Sequence, residues 1–124
     1  MRRYLLLGLM PAVVCSIWAW PVAAMAHAFL DHTIPTVGGT VTAAPPELRL
    51  FFSEPLEPLF SGIEISGTDG QRIAAGKATL DPRDAKQFVL RLPPLGPGHY
   101  RVHWHVVSVD THPTQGDFTF EVRP

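Results

Sequence analysis

The stretch "YRVHWHVVSV", residues 100–109, decides the fold class. Tyr100, Val102, Trp104 and Val106 fall on one side of a two-residue repeat, and Arg101, His103, His105 and Val107 on the other. Side chains of an extended strand alternate between its two faces, so this spacing of aromatic and β-branched residues predicts a half-buried strand. Downstream, "DFTFEVR" repeats the pattern, with Phe118, Phe120 and Val122 inward and Thr119, Glu121 and Arg123 outward. Upstream, "LRLFF" aligns Leu48, Leu50 and Phe52 on one face, and "FVLRL" is another short strand. "SGIEISGTDGQRIAAG" reads as a hairpin: Ile63 and Ile65 alternate, the chain turns at Thr68-Asp69-Gly70, and a return strand starts near Gln71. Between these runs lie turn-rich "PTVGGTVTAAPPE", polar "DPRDAKQ" and "PPLGPGH". No window carries a capped amphipathic helix. The expectation is an all-β domain, a small Greek-key β-barrel or sandwich of the immunoglobulin-like kind.

The first 26 residues follow different rules. Arg2-Arg3 precede an apolar stretch that ends "AAMA", which reads as a cleaved signal peptide. The apolar run is broken at Pro11 and Ser16, short of the ~20 apolar residues a bilayer span needs. Cleavage after Ala26 makes His27 the first residue of a domain over 27–124; cleavage after Ala24 or Ala28 does not. A lipid anchor at Cys15 is disfavoured by the large Val14 before it.

Removing the leader changes the chemistry left in the chain. The single cysteine, Cys15, and all three methionines, Met1, Met10 and Met25, depart with it. The remaining domain has no disulfide and no soft donor for Cu(I). It keeps all six histidines, at 27, 32, 99, 103, 105 and 112. Eight basic residues then face eleven acidic ones, a net charge of about −3, and nucleic acid, which favours a basic face, is not an expected partner.

Two places combine into a candidate metal site. In "VSVDTHPTQGDF", Asp110 and His112 stand two apart, and in an extended backbone both point the same way. Pro113 disfavours a helical conformation at His112. Such a pair also reads as a loop acid beside a surface histidine. A free amino-terminal His27 would add two nitrogens, its α-amine and its imidazole. The amine's ordinary pKa of ~8 lets a metal displace its proton near neutral pH. Three nitrogens and one carboxylate oxygen suit tetragonal Cu(II) better than tetrahedral Zn(II).

The mature chain resembles the CopC family of periplasmic copper-resistance proteins. The likeness rests on the "HA" start, "APPELRLFFSEPLE", "PLGPGHYRVHW" and above all "VVSVDTHPTQGDFTFEV". It implies a small exported β-domain that binds Cu(II) through the residues matching His27, Asp110 and His112. Glu54, in the "FSE" motif, would stand beside the site and orient the amine or an imidazole. A methionine-rich Cu(I) loop found in some relatives has no counterpart here, and Phe29 occupies the third mature position where some carry histidine. The expected partners are the copper ion and, by the same resemblance, an inner-membrane copper transporter; the domain is expected to be a monomer.

Other residues carry weaker expectations. His103 and His105 share a strand face and could hold a second ion or simply be solvated. His32 could touch copper transiently, His99 is expected to be exposed, and Trp104 to belong to the core. Asp81, Arg83, Asp84 and Lys86 read as a solvated loop. Three functions remain: copper capture and hand-off, a copper-dependent oxidative enzyme with a histidine brace, or an exported interaction domain. The first is the expectation, without enzymatic turnover, since no broad aromatic substrate platform is evident.

Overall fold

The computed structural model describes residues 27–124; the expected leader and its cysteine and methionines lie outside the described residues. Eight strands are formed: β1 Leu30–Ile34, β2 Thr40–Val41, β3 Glu47–Phe52, β4 Gly62–Ser66, β5 Thr79–Asp81, β6 Asp84–Arg91, β7 Gly98–Val107 and β8 Pro113–Val122. They make two four-stranded sheets, ordered β1-β3-β6-β5 and β2-β8-β7-β4. Of the two expected architectures, this is the sandwich. Among the described residues the only helical element is a 3-10 turn at Pro58–Phe60.

The core is built from the residues whose alternation marked the strands. Leu48, Leu50 and Phe52 of β3 and Phe88 and Leu90 of β6 are buried on one sheet. Ile63 and Ile65 of β4, Tyr100, Val102, Trp104 and Val106 of β7, and Phe118, Phe120 and Val122 of β8 are buried on the other. Each large apolar side chain withdrawn from water contributes about 1.5–3 kcal/mol, so two sheets with matching apolar faces close on one another. The Phe52 and Trp104 rings meet edge to face across the sheets at 5.2 Å. Trp104 pairs across the strand with Gly116, and its indole occupies the space a side chain at 116 would need: a Cβ there would lie 2.6 Å from the ring.

Several local expectations are corrected. The return strand near Gln71 does not form: the pairing is an isolated bridge between Ser66 and Arg72, with Ile73 N–H donating to the Ile65 carbonyl. The "DPRDAKQ" stretch is not an open loop but a tight reversal between β5 and β6, with strand pairing from Asp84. Asp81 and Asp84 turn the chain there by accepting from the backbone N–H of Arg83 and Lys86. Asp81 is also paired with Arg49 at 2.7 Å, which, after the Arg83 N–H, holds its carboxyl below the usual range. The stretch at 35–47 contains β2, which runs parallel to β8. β1, an edge strand with mostly exposed side chains, has too little alternation to be read from sequence.

One end of the sandwich gathers three segments. β1 and β3 are antiparallel with Leu30 opposite Phe52, so residues 27–29 lie beside the end of β3. The chain after β3 crosses to the other sheet, where Leu56 bridges Ser108 and Glu57 N–H donates to the Val107 carbonyl. The connection between β7 and β8 emerges at the same place.

Candidate metal centre

The amino-terminal segment is held by its backbone. Ala28 is fully buried. The Ser53 N–H donates to the Phe29 carbonyl at 2.9 Å, and Phe29 N–H donates to the Ser53 hydroxyl at 2.8 Å. That hydroxyl in turn donates to the His27 carbonyl at 3.2 Å, and the Thr114 hydroxyl donates to the Ala28 carbonyl at 2.9 Å. Two hydroxyls, of Ser53 just after β3 and of Thr114 on β8, thus clamp three consecutive residues, and His27 is delivered to the β7–β8 turn. Its ring packs edge to face on His112, centroids 4.8 Å apart. Phe29, largely exposed, flanks it at 6.1 Å.

Asp110 and His112 do converge, by a route other than the one expected from an extended backbone. They sit in a turn. The Ser108 N–H donates to the His112 carbonyl at 3.1 Å and Thr111 N–H to the Ser108 carbonyl at 2.8 Å. Thr111 takes the left-handed conformation, φ 71°, which is uncommon for a β-branched residue and reverses the chain between the two ligand positions. The Ser108 hydroxyl donates to Asp110 Oδ1. That bond first, and then the His112 ring, keep the Asp110 carboxyl below its ordinary range, so it is an anion at neutral pH.

The other carboxylate oxygen, Oδ2, lies 3.4 Å from His112 Nδ1. That is within ion-pair range but too long for a good hydrogen bond. His112 Nδ1 is buried and, among the described residues, has no hydrogen-bond partner. A buried ring nitrogen that makes no hydrogen bond, beside an anionic oxygen, is costly unless something binds there. Two donors 3.4 Å apart can share one ion at ~2 Å from each. The donor types, imidazole nitrogen and carboxylate, fit Cu(II). Among the described residues, however, no three His, Asp or Glu side chains already form a metal-binding group. His27 meets His112, and His112 meets Asp110, as pairs.

Glu54, expected beside the site, lies between Ser53, bonded to the amino-terminal segment, and Pro55, whose carbonyl accepts the Val109 N–H at 3.1 Å. On this side of the amino-terminal segment the hydrogen bonds come from the Ser53 hydroxyl and backbone. Ser53, Ser108 and Thr114 escaped sequence reading because nothing in their spacing distinguishes them from ordinary strand and turn residues. The remaining histidines stand apart. His103 Nδ1 is 3.0 Å from Asp117 Oδ1, and the His105 ring lies over Gly62 on the same face. His32 stacks on Phe51 at 4.0 Å, and His99 is exposed beside Glu121 at 3.7 Å.

The CopC domain matches residues 30–123. The chain is 42% identical over 123 residues to Protein YobA of Escherichia coli strain K12, covering 98% of this chain and 94% of that one. The crystal structure of CopC from Methylosinus trichosporium OB3b is similar with a TM-score of 0.75 and 32% identity, over 79% of this chain and 95% of that chain. PcoC, a methionine-rich copper resistance protein from Escherichia coli, is similar with a TM-score of 0.70 and 38% identity, over 79% of this chain and all of that chain. Residues 27–124 of the present chain contain no methionine.

Proposed function

The chain belongs to the CopC family, and from that premise we propose that it is a periplasmic Cu(II)-binding protein serving copper capture, trafficking or resistance. The ion is held by the α-amine and imidazole of His27 together with Asp110 and His112. The observation that carries this reading is the buried, unpartnered His112 Nδ1, 3.4 Å from the Asp110 carboxylate and on the ring that packs against His27. The absence of sulfur donors from residues 27–124 favours Cu(II) over Cu(I). Glu54 serves as an acceptor that orients the amine or an imidazole. Capture proceeds by coordination alone: the ion displaces protons from the amine and imidazoles, so affinity falls with falling pH. The recipient is an inner-membrane copper transporter.

Intact mass spectrometry of the exported protein, with and without one equivalent of Cu(II), tests the reading. A chain beginning at His27 and retaining one copper is the expected result. A chain beginning elsewhere, or a His27 form that holds no copper, overturns it. Turnover with a reductant and peroxide above that of free copper would replace capture by catalysis.

A further inference from the structure

Ser108 is 1% exposed and lies at the root of the turn that carries both ligand residues. Its backbone closes the turn at both ends, to the His112 carbonyl and from the Thr111 N–H. Its hydroxyl accepts the His112 N–H at 3.3 Å, lies 3.3 Å from the His112 carbonyl, and reaches Asp110 Oδ1. A hydroxyl has one proton to give. The carboxylate is the anionic acceptor and takes it, because a charge-assisted bond is the stronger of the two. Oδ1 is then occupied, and Oδ2 is left facing His112 Nδ1 at 3.4 Å.

We infer that Ser108 is a positioning residue that presents Asp110 to the metal through a single oxygen, Oδ2, beside Nδ1 of His112. This rests on the copper reading above. The terminal torsion of an aspartate is broad and nearly two-fold, so a free carboxylate would swing its oxygens between the ion and water. With Oδ1 tied to a buried hydroxyl, one orientation is selected before the ion arrives. A one-oxygen carboxylate beside an imidazole suits a small nitrogen-preferring ion. It disfavours calcium, which gathers about 6–8 oxygens and often takes both from one carboxylate.

The test compares Ser108→Ala, Ser108→Thr and Ser61→Ala in the chain that begins at His27. Ser61 is the control: its hydroxyl donates to the Glu57 carbonyl and accepts the Val107 N–H, a structural role that touches no ligand residue. Cu(II) affinity is measured by chelator competition, the Cu(II) environment by electron paramagnetic resonance, and stability by urea unfolding. Ser108→Ala is expected to lower affinity by about 10–100-fold, the scale of losing a partner behind a ligand, and to alter the copper hyperfine pattern. Ser108→Thr, which keeps the hydroxyl, restores both. Ser61→Ala lowers stability and leaves affinity and spectrum unchanged. Should Ser108→Ala fail to fold, Ser108→Val, which has the shape of Ser108→Thr without its hydroxyl, replaces it with the same expectations. A folded hydroxyl-less variant with the affinity and spectrum of the parent overturns the inference alone. A parent chain that holds no copper overturns the copper reading and this inference with it.

Discussion

The molecule contains two histidine-bearing regions that look alike on paper. On the open face of the β2-β8-β7-β4 sheet, His103 and His105 stand two apart, with Asp117 opposite His103 on the neighbouring strand. At the end of the sandwich, Asp110 and His112 also stand two apart, with His27 arriving from a distant part of the chain. The difference lies in what each donor is left to do. On the open face, His103 Nδ1 is bonded to Asp117, which also accepts from Arg101, and the His105 ring covers the backbone at Gly62. At the sandwich end, the serine hydroxyl satisfies one carboxylate oxygen and leaves the adjacent imidazole nitrogen buried without a partner. Spacing brings donors near each other in both regions, and at the sandwich end one of them is left buried and unsatisfied.

The sharpest way to break this comparison is to remove one imidazole from each region. His112→Ala is expected to lower Cu(II) affinity well beyond the roughly 10–100-fold that groups behind a ligand contribute, whereas His103→Ala leaves it unchanged by calorimetric titration. Equal losses would place the ion on the open face. Next in size is an extra residue placed before His27, which turns the α-amine into an amide without a lone pair. Affinity is expected to fall at least about tenfold, by competition titration, with the fold intact by circular dichroism.

A third substitution separates copper affinity from stability. Gly116→Ala pushes a methyl into the space held by the Trp104 indole and is expected to cost about 1–3 kcal/mol by urea unfolding. Copper affinity of the folded variant should not change; a parallel loss would mean that the site merely reports sandwich stability. The smallest effect concerns acid. Hydrogen bonding from His103 first, with the nearby charge of Arg101, holds the Asp117 carboxyl below the usual range. Between that lowered pKa and the ordinary carboxylate value of ~3.9, the unfolded chain binds more protons than the folded one. The pairing therefore adds stability above the ordinary value and loses it as pH falls through the lowered one. Asp117→Asn should flatten the acid limb of a stability-against-pH curve measured by urea unfolding, and leave copper affinity at neutral pH untouched.

The long β7–β8 hairpin was legible because its alternation is a direct consequence of the two faces of a strand. Tyr100 to Val106 and Phe118 to Val122 carry enough large apolar side chains, every second residue, to identify the inward face. β1 was not legible because its strand identity comes from pairing with β3 at a sheet edge, not from burial of its own side chains. The reversal at Asp81–Asp84 was misread because its acids look solvated in sequence, while in the fold they cap a tight turn and pair with Arg49. At the candidate site, Asp110 and His112 were legible as donor types in close succession. An extended backbone does not account for their convergence: a left-handed Thr111 and a serine-tied turn bring them together.

Local patterning alone determined that this chain forms strands with an apolar inward face, and composition alone determined that residues 27–124 bring nitrogen and oxygen donors without sulfur. Both follow from properties of single residues and their near neighbours. Only the tertiary structure decided which end of the sandwich receives residues 27–29, that Ser53 and Thr114 clamp them there, and that Nδ1 of His112, unlike Nδ1 of His103, is left buried without a hydrogen bond. Those outcomes depend on contacts between segments separated by 24 to 86 positions, whose pairing is set by sheet register and by the competition of every polar group for the partners within its reach.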